Sequence, residues 1–314
     1  MLAARRSDTK IAPMAAYLRD ELGVRDVGRL VQRCPSLLSA SLDGKLRPTV
    51  AFLLSQGVTM DDLDRMLVKH PPLFTHSLNE KVIPVVDFLC DLGVKDMRRV
   101  LRAMPQLLGC SLEHKLQPAA EYLRELGVRD VGRLVQAFPA ALAYSLKRKL
   151  GRTVAWLHAA GVEDVGALLC ALPALAGYSV AANLEPKRRL LVDVMGRPID
   201  EAVRFPAYWA YSLRDRILPR YAYLLEHGVQ NEVSLSSMLA AADARFLALP
   251  VLRSAVAAGA PATAPDFAAH CATPAFRARI EALERAGQLW QRPAAGNAAG
   301  EHAAALPGLA GGRA

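Results

Sequence analysis

Four arginines, Arg29, Arg65, Arg99 and Arg133, follow one another at intervals of 36, 34 and 34 residues, each six positions before a proline. Ten positions after those prolines comes a second series of cations: Lys45, Lys81, Lys115 and Lys149, continued by Arg216. A guanidinium presents a rigid fork of N–H donors that matches phosphate oxygens, and an ammonium meets the same anion as a point charge. The chemistry on offer is repeated, non-covalent anion binding. Ala167 and Asp200 break the arginine series, Asn183 breaks the lysine series, and Lys10 fits the start of the latter. Phosphate binding is favoured for the arginines, because a merely solvated face has no need of Arg over Lys. Two accounts stay open for the lysines, phosphate contact or neutralisation of carbonyls at a chain corner.

Covalent chemistry has no comparable footing. There is no glycine-rich phosphate loop, no nucleophile elbow and no recurrent carboxylate pair, so the chain reads as a non-enzyme without a cofactor. The five cysteines, Cys34, Cys90, Cys110, Cys170 and Cys271, are odd in number and form no CxxC, which argues against both a disulfide framework and a zinc site. His70 and His76 are the nearest approach to a ligand pair, but a spacing of six across Pro71-Pro72 fits no helical metal face, and no metal is expected. The charge-free window 165–184 has the length of a membrane span, yet it holds Gly166, Pro173, Gly177 and Asn183 and reads as two short helices and a corner.

The net charge of +9 is unevenly spread: residues 1–157 carry 24 Lys+Arg against 16 Asp+Glu, and residues 158–314 carry 15 against 14. A surplus confined to one half favours a polyanionic partner there. A preference for GC-rich codons also yields 30 Arg against 9 Lys, so the positions of the charges say more than their sum.

The elements that position these cations are legible from six prolines, Pro35, Pro71, Pro105, Pro139, Pro173 and Pro206, spaced 36, 34, 34, 34 and 33 residues apart. Such a period is that of a solenoid, whose units bury their apolar faces only against their neighbours. Serine stands six residues after every proline (Ser41, Ser77, Ser111, Ser145, Ser179, Ser212), a position suited to capping or turning. A second proline follows at thirteen (Pro48, Pro84, Pro118, Pro186, Pro219), replaced once by Arg152, and a first helix is expected to start near it after a short 3₁₀ turn. Apolar spacing of i, i+4, i+7, as in Leu116, Ala120 and Leu123, supplies its buried stripe. Gly57, Gly93, Gly127, Gly161 and Gly228, each followed by valine, close the first helices, with Gly196 as a variant. A second helix of about ten residues then runs to the next proline. Thr59 with Asp62 reads as a capping box at one such start.

Further basic residues fall at or just before first-helix starts, where backbone N–H groups add donors: Lys147 to Lys149 with Arg152, then Lys187, Arg188 and Arg189, then Arg214, Arg216 and Arg220. Phe52, Phe88, Tyr122, Trp156 and Tyr223 share a position next to a core leucine and are read as packing residues, while Tyr144, Tyr178, Tyr208 and Tyr211 at the corners are the candidates for base stacking.

A unit of this length carrying P-x-x-L-x-x-S-L-x-x-K-L-x-P and F-L-x-x-x-G-V resembles the mitochondrial transcription termination factor (mTERF) family, of plant or algal organellar type, over about residues 10 to 250. SLSSMLAAADARFL also resembles that family's final unit. The resemblance implies an all-α, right-handed-type α-solenoid of two-helix repeats curved into a half-doughnut. It also implies a monomer that binds nucleic acid in a chloroplast or mitochondrion, in transcription and its termination, RNA splicing or ribosome assembly. On that reading residues 7–250 form about seven units, the first truncated, 251–290 an alanine-rich link and short helix, and 291–314 a disordered tail. MLAARRSDTK is shorter than a transit peptide, and the repeat pattern begins almost at once after it. Double-stranded DNA, held through phosphates along a basic concave face, is the favoured ligand. A one-base-per-unit RNA code needs variable polar residues at a fixed position, and no clean series is present. A protein-interaction scaffold shares the period but has no use for basic stripes.

Overall fold

A computed structural model of the protein describes residues 11–144, 149–259 and 267–287. Every element in it is helical, with no strand among the described residues, as the repeat period predicted.

Each unit starts at its serine. The Ser111 Oγ accepts the His114 N–H at 3.2 Å, and the Leu116 N–H reaches back five residues to the Ser111 carbonyl at 3.1 Å. The first helix therefore begins at Leu112, well before Pro118, and its opening turn is the wide π type, Leu112–Leu116, before Gln117–Glu125 continues as ordinary α-helix. This corrects the expectation of a start near the second proline. A proline ring collides with the carbonyl one α-turn behind it, and a widened turn relieves that contact while no donor is lost. Leu42–Leu46, Leu78–Val82, Val180–Leu184 and Leu213–Ile217 repeat the device, each capped by its serine. Residues 149–150 keep the wide turn where Arg152 replaces proline, so the shape belongs to the repeat and not to proline alone. The 3₁₀ turns lie instead at the proline corners, as in Pro71–Thr75 and Pro105–Gly109. Ser145 lies outside the described residues.

Seven glycines with positive φ end the first helices: Gly23, Gly57, Gly93, Gly127, Gly161, Gly196 and Gly228. At Gly93, with φ of 91°, the N–H bonds the Cys90 carbonyl at 2.8 Å and the Val94 N–H bonds Leu89 at 3.1 Å, the paired closure that a left-handed residue permits. The second helices, among them Val27–Arg33, Met97–Ala103, Val131–Ala137 and Val165–Ala171, start on Asp26, Asp96, Asp130 and Asp164, whose carboxylates accept the N–H three residues on. Met60–Lys69 starts on the Thr59–Asp62 capping box that the sequence indicated.

Consecutive units are joined at the residue seven before each proline. A Cβ on Gly132 would overlap the backbone at Leu92 and Gly93, and one on Gly166 would overlap Leu126 and Gly127, so each second helix there lies backbone to backbone on the preceding glycine corner. In the unit between Gly93 and Pro105 the same position is Arg98, which reaches back to Asp62 of the previous second helix with Nε at 2.7 Å. The core is one continuous strip, and the stripe leucines Leu53, Leu89, Leu123, Leu157 and Leu224 are fully buried. Past Gly228 come Leu235–Ala240, Asp243–Leu247, Pro250–Gly259, Phe267–Cys271 and Pro274–Ala286, the last packed on Leu218–Glu226. Residues 260–266 of the alanine-rich link, and the tail 291–314, lie outside the described residues. No described helix is long and apolar enough to cross a membrane.

Candidate nucleic-acid interface

Arg29, Arg99 and Arg133 occupy the first turn of the second helices Val27–Arg33, Met97–Ala103 and Val131–Ala137, and their own N–H groups are the ones that Asp26, Asp96 and Asp130 accept, at 2.8, 2.9 and 2.7 Å. The acid nearest each arginine is thereby committed to the helix end. All three side chains are exposed, and none forms an ion pair with a described residue. Arg65 is also exposed but sits deeper in a longer helix and pairs with Asp61 at 2.8 Å. The helices Met60–Lys69, Met97–Ala103 and Val131–Ala137 pack directly on one another, and helices in such contact lie about 8–10 Å apart axis to axis. Side chains at the far ends of second helices tie the same layer together: Arg33 at the end of Val27–Arg33 donates to the Val68 carbonyl, and Lys69 Nζ to Arg102 O at 3.2 Å.

The lysine positions divide. Lys45 is exposed, and Lys81 and Lys115 are half-buried. Lys149 is exposed but lies over the Tyr144 ring at 4.3 Å, and Arg216 repeats that pairing on Tyr211 at 4.8 Å. Arg216 also donates to the Leu239 and Ala241 carbonyls at 2.9 and 2.8 Å, so it serves the chain's own corner, the second of the two accounts left open. Arg152 is exposed and without an ionic partner among the described residues. Lys10 and Lys147 lie outside the described residues.

Two candidates are interior, contrary to the expectation of a basic surface there. Lys187 is 3% exposed and donates to Asn183 Oδ1 at 2.8 Å and to the Trp209 carbonyl at 2.6 Å, and burial holds its ammonium down to about 8. Arg220 is 1% exposed and holds the Met238 and Ala241 carbonyls at 2.7 and 2.8 Å, with Asp243 as its ion-pair partner. Both stand fourteen residues after a proline, where earlier units have Thr49, Val85, Ala119 and Thr153. The cations replace apolar packing at that joint with hydrogen bonds to the next corner. Arg188 is bound to Glu185 at 3.0 Å, and Arg214 to Glu284 of the C-terminal helix at 3.3 Å. Burial alone would raise Glu185, but hydrogen bonds from Arg188, Arg189 and Trp156 outweigh it and hold the carboxyl at about 2, so this acid is satisfied and not poised for proton transfer.

The ring residues beside the core leucines pack as expected: Phe52, Phe88, Tyr122 and Trp156 lie against the core and Tyr223 is buried. The corner tyrosines are less available for stacking than their positions suggested. Tyr208 is sealed, its hydroxyl donating to the Lys187 carbonyl at 2.7 Å, while Tyr144 and Tyr211 already face cations. Sequence reasoning missed the Asp62 node, where Arg98, Arg102 and Thr59 converge on one buried carboxylate. Its only signal was the break in the D-V-G pattern, K-D-M-R-R in place of R-D-V-G-R.

The sequence model of the mTERF family matches residues 4–247. A stretch of 64 residues is 41% identical to the chloroplastic transcription termination factor MTERF2 of Arabidopsis thaliana; it covers 20% of this chain and 10% of that protein. Nine-tenths of that relative's length thus lies outside the match.

Proposed function

The chain belongs to the mTERF family, and from that premise we propose that its repeat array binds nucleic acid in an organelle through the exposed arginines of its second helices. The observation that carries this reading is the set Arg29, Arg99 and Arg133: three equivalent, unpaired guanidiniums, the last two on neighbouring units and Arg29 two units before Arg99, each beside an acid already consumed by its helix cap. Lys45, Arg65 and Arg152 extend the charge. Duplex phosphates recur every ~3.4 Å along a strand, so helices packed about 8–10 Å apart offer an arginine to roughly every third one. Contacts of that kind position a protein on a backbone without reading bases, and double-stranded DNA is the ligand they fit best. The function is to regulate or terminate organellar transcription as a monomer. The chloroplastic relative supports a chloroplast over a mitochondrion.

The test is fluorescence anisotropy of the purified protein with duplex DNA, single-stranded RNA and structured RNA at matched salt. Tightest binding to the duplex supports the proposal. Preference for either RNA transfers the same arginines to RNA processing or ribosome assembly, and absence of binding to all three overturns the reading in favour of a protein-interaction scaffold.

A further inference from the structure

At three of the six proline corners the residues just before and five after the proline form a ring pair, and at two of these a glycine of the next unit covers the pair. Phe138 and Tyr144 are such a pair, with ring centres 5.9 Å apart, and a Cβ on Gly177 would meet Phe138 Cζ at 2.7 Å and the Tyr144 hydroxyl at 2.9 Å. One corner fills the same positions with His70 and His76, ring centres 6.1 Å apart, under Gly109. Here a Cβ on the glycine would lie 2.9 Å from His76 Nε2 and 3.1 Å from His70 Nε2, so both nitrogens lie against Gly109. Both are buried, and neither has a hydrogen-bond partner. A phenyl ring such as Phe138 needs no partner at this place, but two imidazole nitrogens do, and an unmet need shared by two atoms beside one glycine is that of a bridging species.

We propose that His70 and His76 bind one late first-row transition-metal ion through their two Nε2 atoms at the joint between these units. Imidazole nitrogen is a ligand for copper, zinc and nickel, with Cu²⁺ the tightest of the divalent series. No group of three or more His, Cys, Asp or Glu side chains converges among the described residues, and the Cys110 thiol next door faces the Gln106 carbonyl at 3.5 Å, so water completes the coordination. Both histidine rings are half-buried, while their Nε2 atoms are themselves covered. The site lies between units, and an occupied site therefore stiffens that joint and raises the melting temperature. A spacing of six fits no helical metal face because the pair is brought together by the 3₁₀ turn Pro71–Thr75 and not by a helix.

The chain's own repeat supplies the control. His70→Phe with His76→Tyr reproduces the Phe138/Tyr144 pair and preserves packing under Gly109. Untagged protein is titrated separately with CuCl₂, ZnCl₂ and NiCl₂ by calorimetry and thermal melting, and the copper form is examined by electron paramagnetic resonance. One saturable equivalent, a raised melting temperature and two nitrogen ligands on copper, all lost in the folded double variant, are expected. No saturable site in the wild type, or the same binding in the double variant, overturns the proposal and leaves a bridging water between the two rings.

Discussion

Asp62 shows how a single residue decides the local energetics. It is 1% exposed, and although burial alone would raise its pKa, hydrogen bonds from Arg98 and Thr59 hold the carboxyl at about 2 against an ordinary 3.8. A carboxylate whose pKa is lowered on folding stabilises the fold above the ordinary value, and that contribution fades as pH drops from about 4 towards 2. The difference is worth on the order of 2 kcal/mol. Denaturant melts of wild type and Asp62→Asn should differ by that amount at neutral pH and converge near pH 2; a constant gap would show that Asp62 acts by packing alone. Asn183 is explained at the same scale. It stands where other units carry a stripe lysine, and its Oδ1 accepts from buried Lys187 at 2.8 Å. A second ammonium there would face the first and remove its acceptor. Asn183→Lys therefore should not raise affinity for nucleic acid, and should lower stability by at least about 1–3 kcal/mol in the same melts.

At the scale of the element, identical text has different consequences. The segments 22–32 and 126–136 both read LGVRDVGRLVQ. Gly132 lies on the backbone of the preceding glycine corner, while the nearest atom to a Cβ on Gly28 is Asp26 Oδ1 at an ordinary 3.6 Å. Gly132→Ala should cost about 1–3 kcal/mol through forced separation of two units, and Gly28→Ala should be neutral or stabilising by up to ~1 kcal/mol through helix propensity. Parallel melts of the two variants check this; equal effects would refute the docking role of Gly132. The repeat length, the serine caps and the glycine corners were legible because each depends on a local backbone rule. The start of the first helix was not, since proline marks a permitted helical position and does not say how many residues precede it. Lys187 and Arg220 were misplaced for a related reason: their burial is created by carbonyls of the following unit, at Trp209 and at Met238 and Ala241, which no reading within one repeat contains.

At the scale of the whole molecule, the two ends of the array spend their cations differently. From Asn183 onward the basic side chains that the repeat would direct outward are turned to internal work: Lys187 and Arg220 pin consecutive corners, Arg216 holds the segment after Gly228, and Arg214 meets Glu284. Aromatic packing of Tyr223 with Phe267, at 5.5 Å, and of His270 with Phe276, at 4.8 Å, seats the C-terminal helices on that end of the core. The N-terminal half holds the charge surplus and the unpaired arginines. On the proposed function, closure falls to one end and phosphate contact to the other. The most direct measurement is the salt dependence of duplex DNA binding for wild type and for Arg29→Ala/Arg99→Ala/Arg133→Ala, with circular dichroism to verify the fold. Loss of three phosphate contacts predicts a slope of log K against log salt shallower by about 2.7. A folded variant with an unchanged slope would contradict the claim that these arginines hold the nucleic acid.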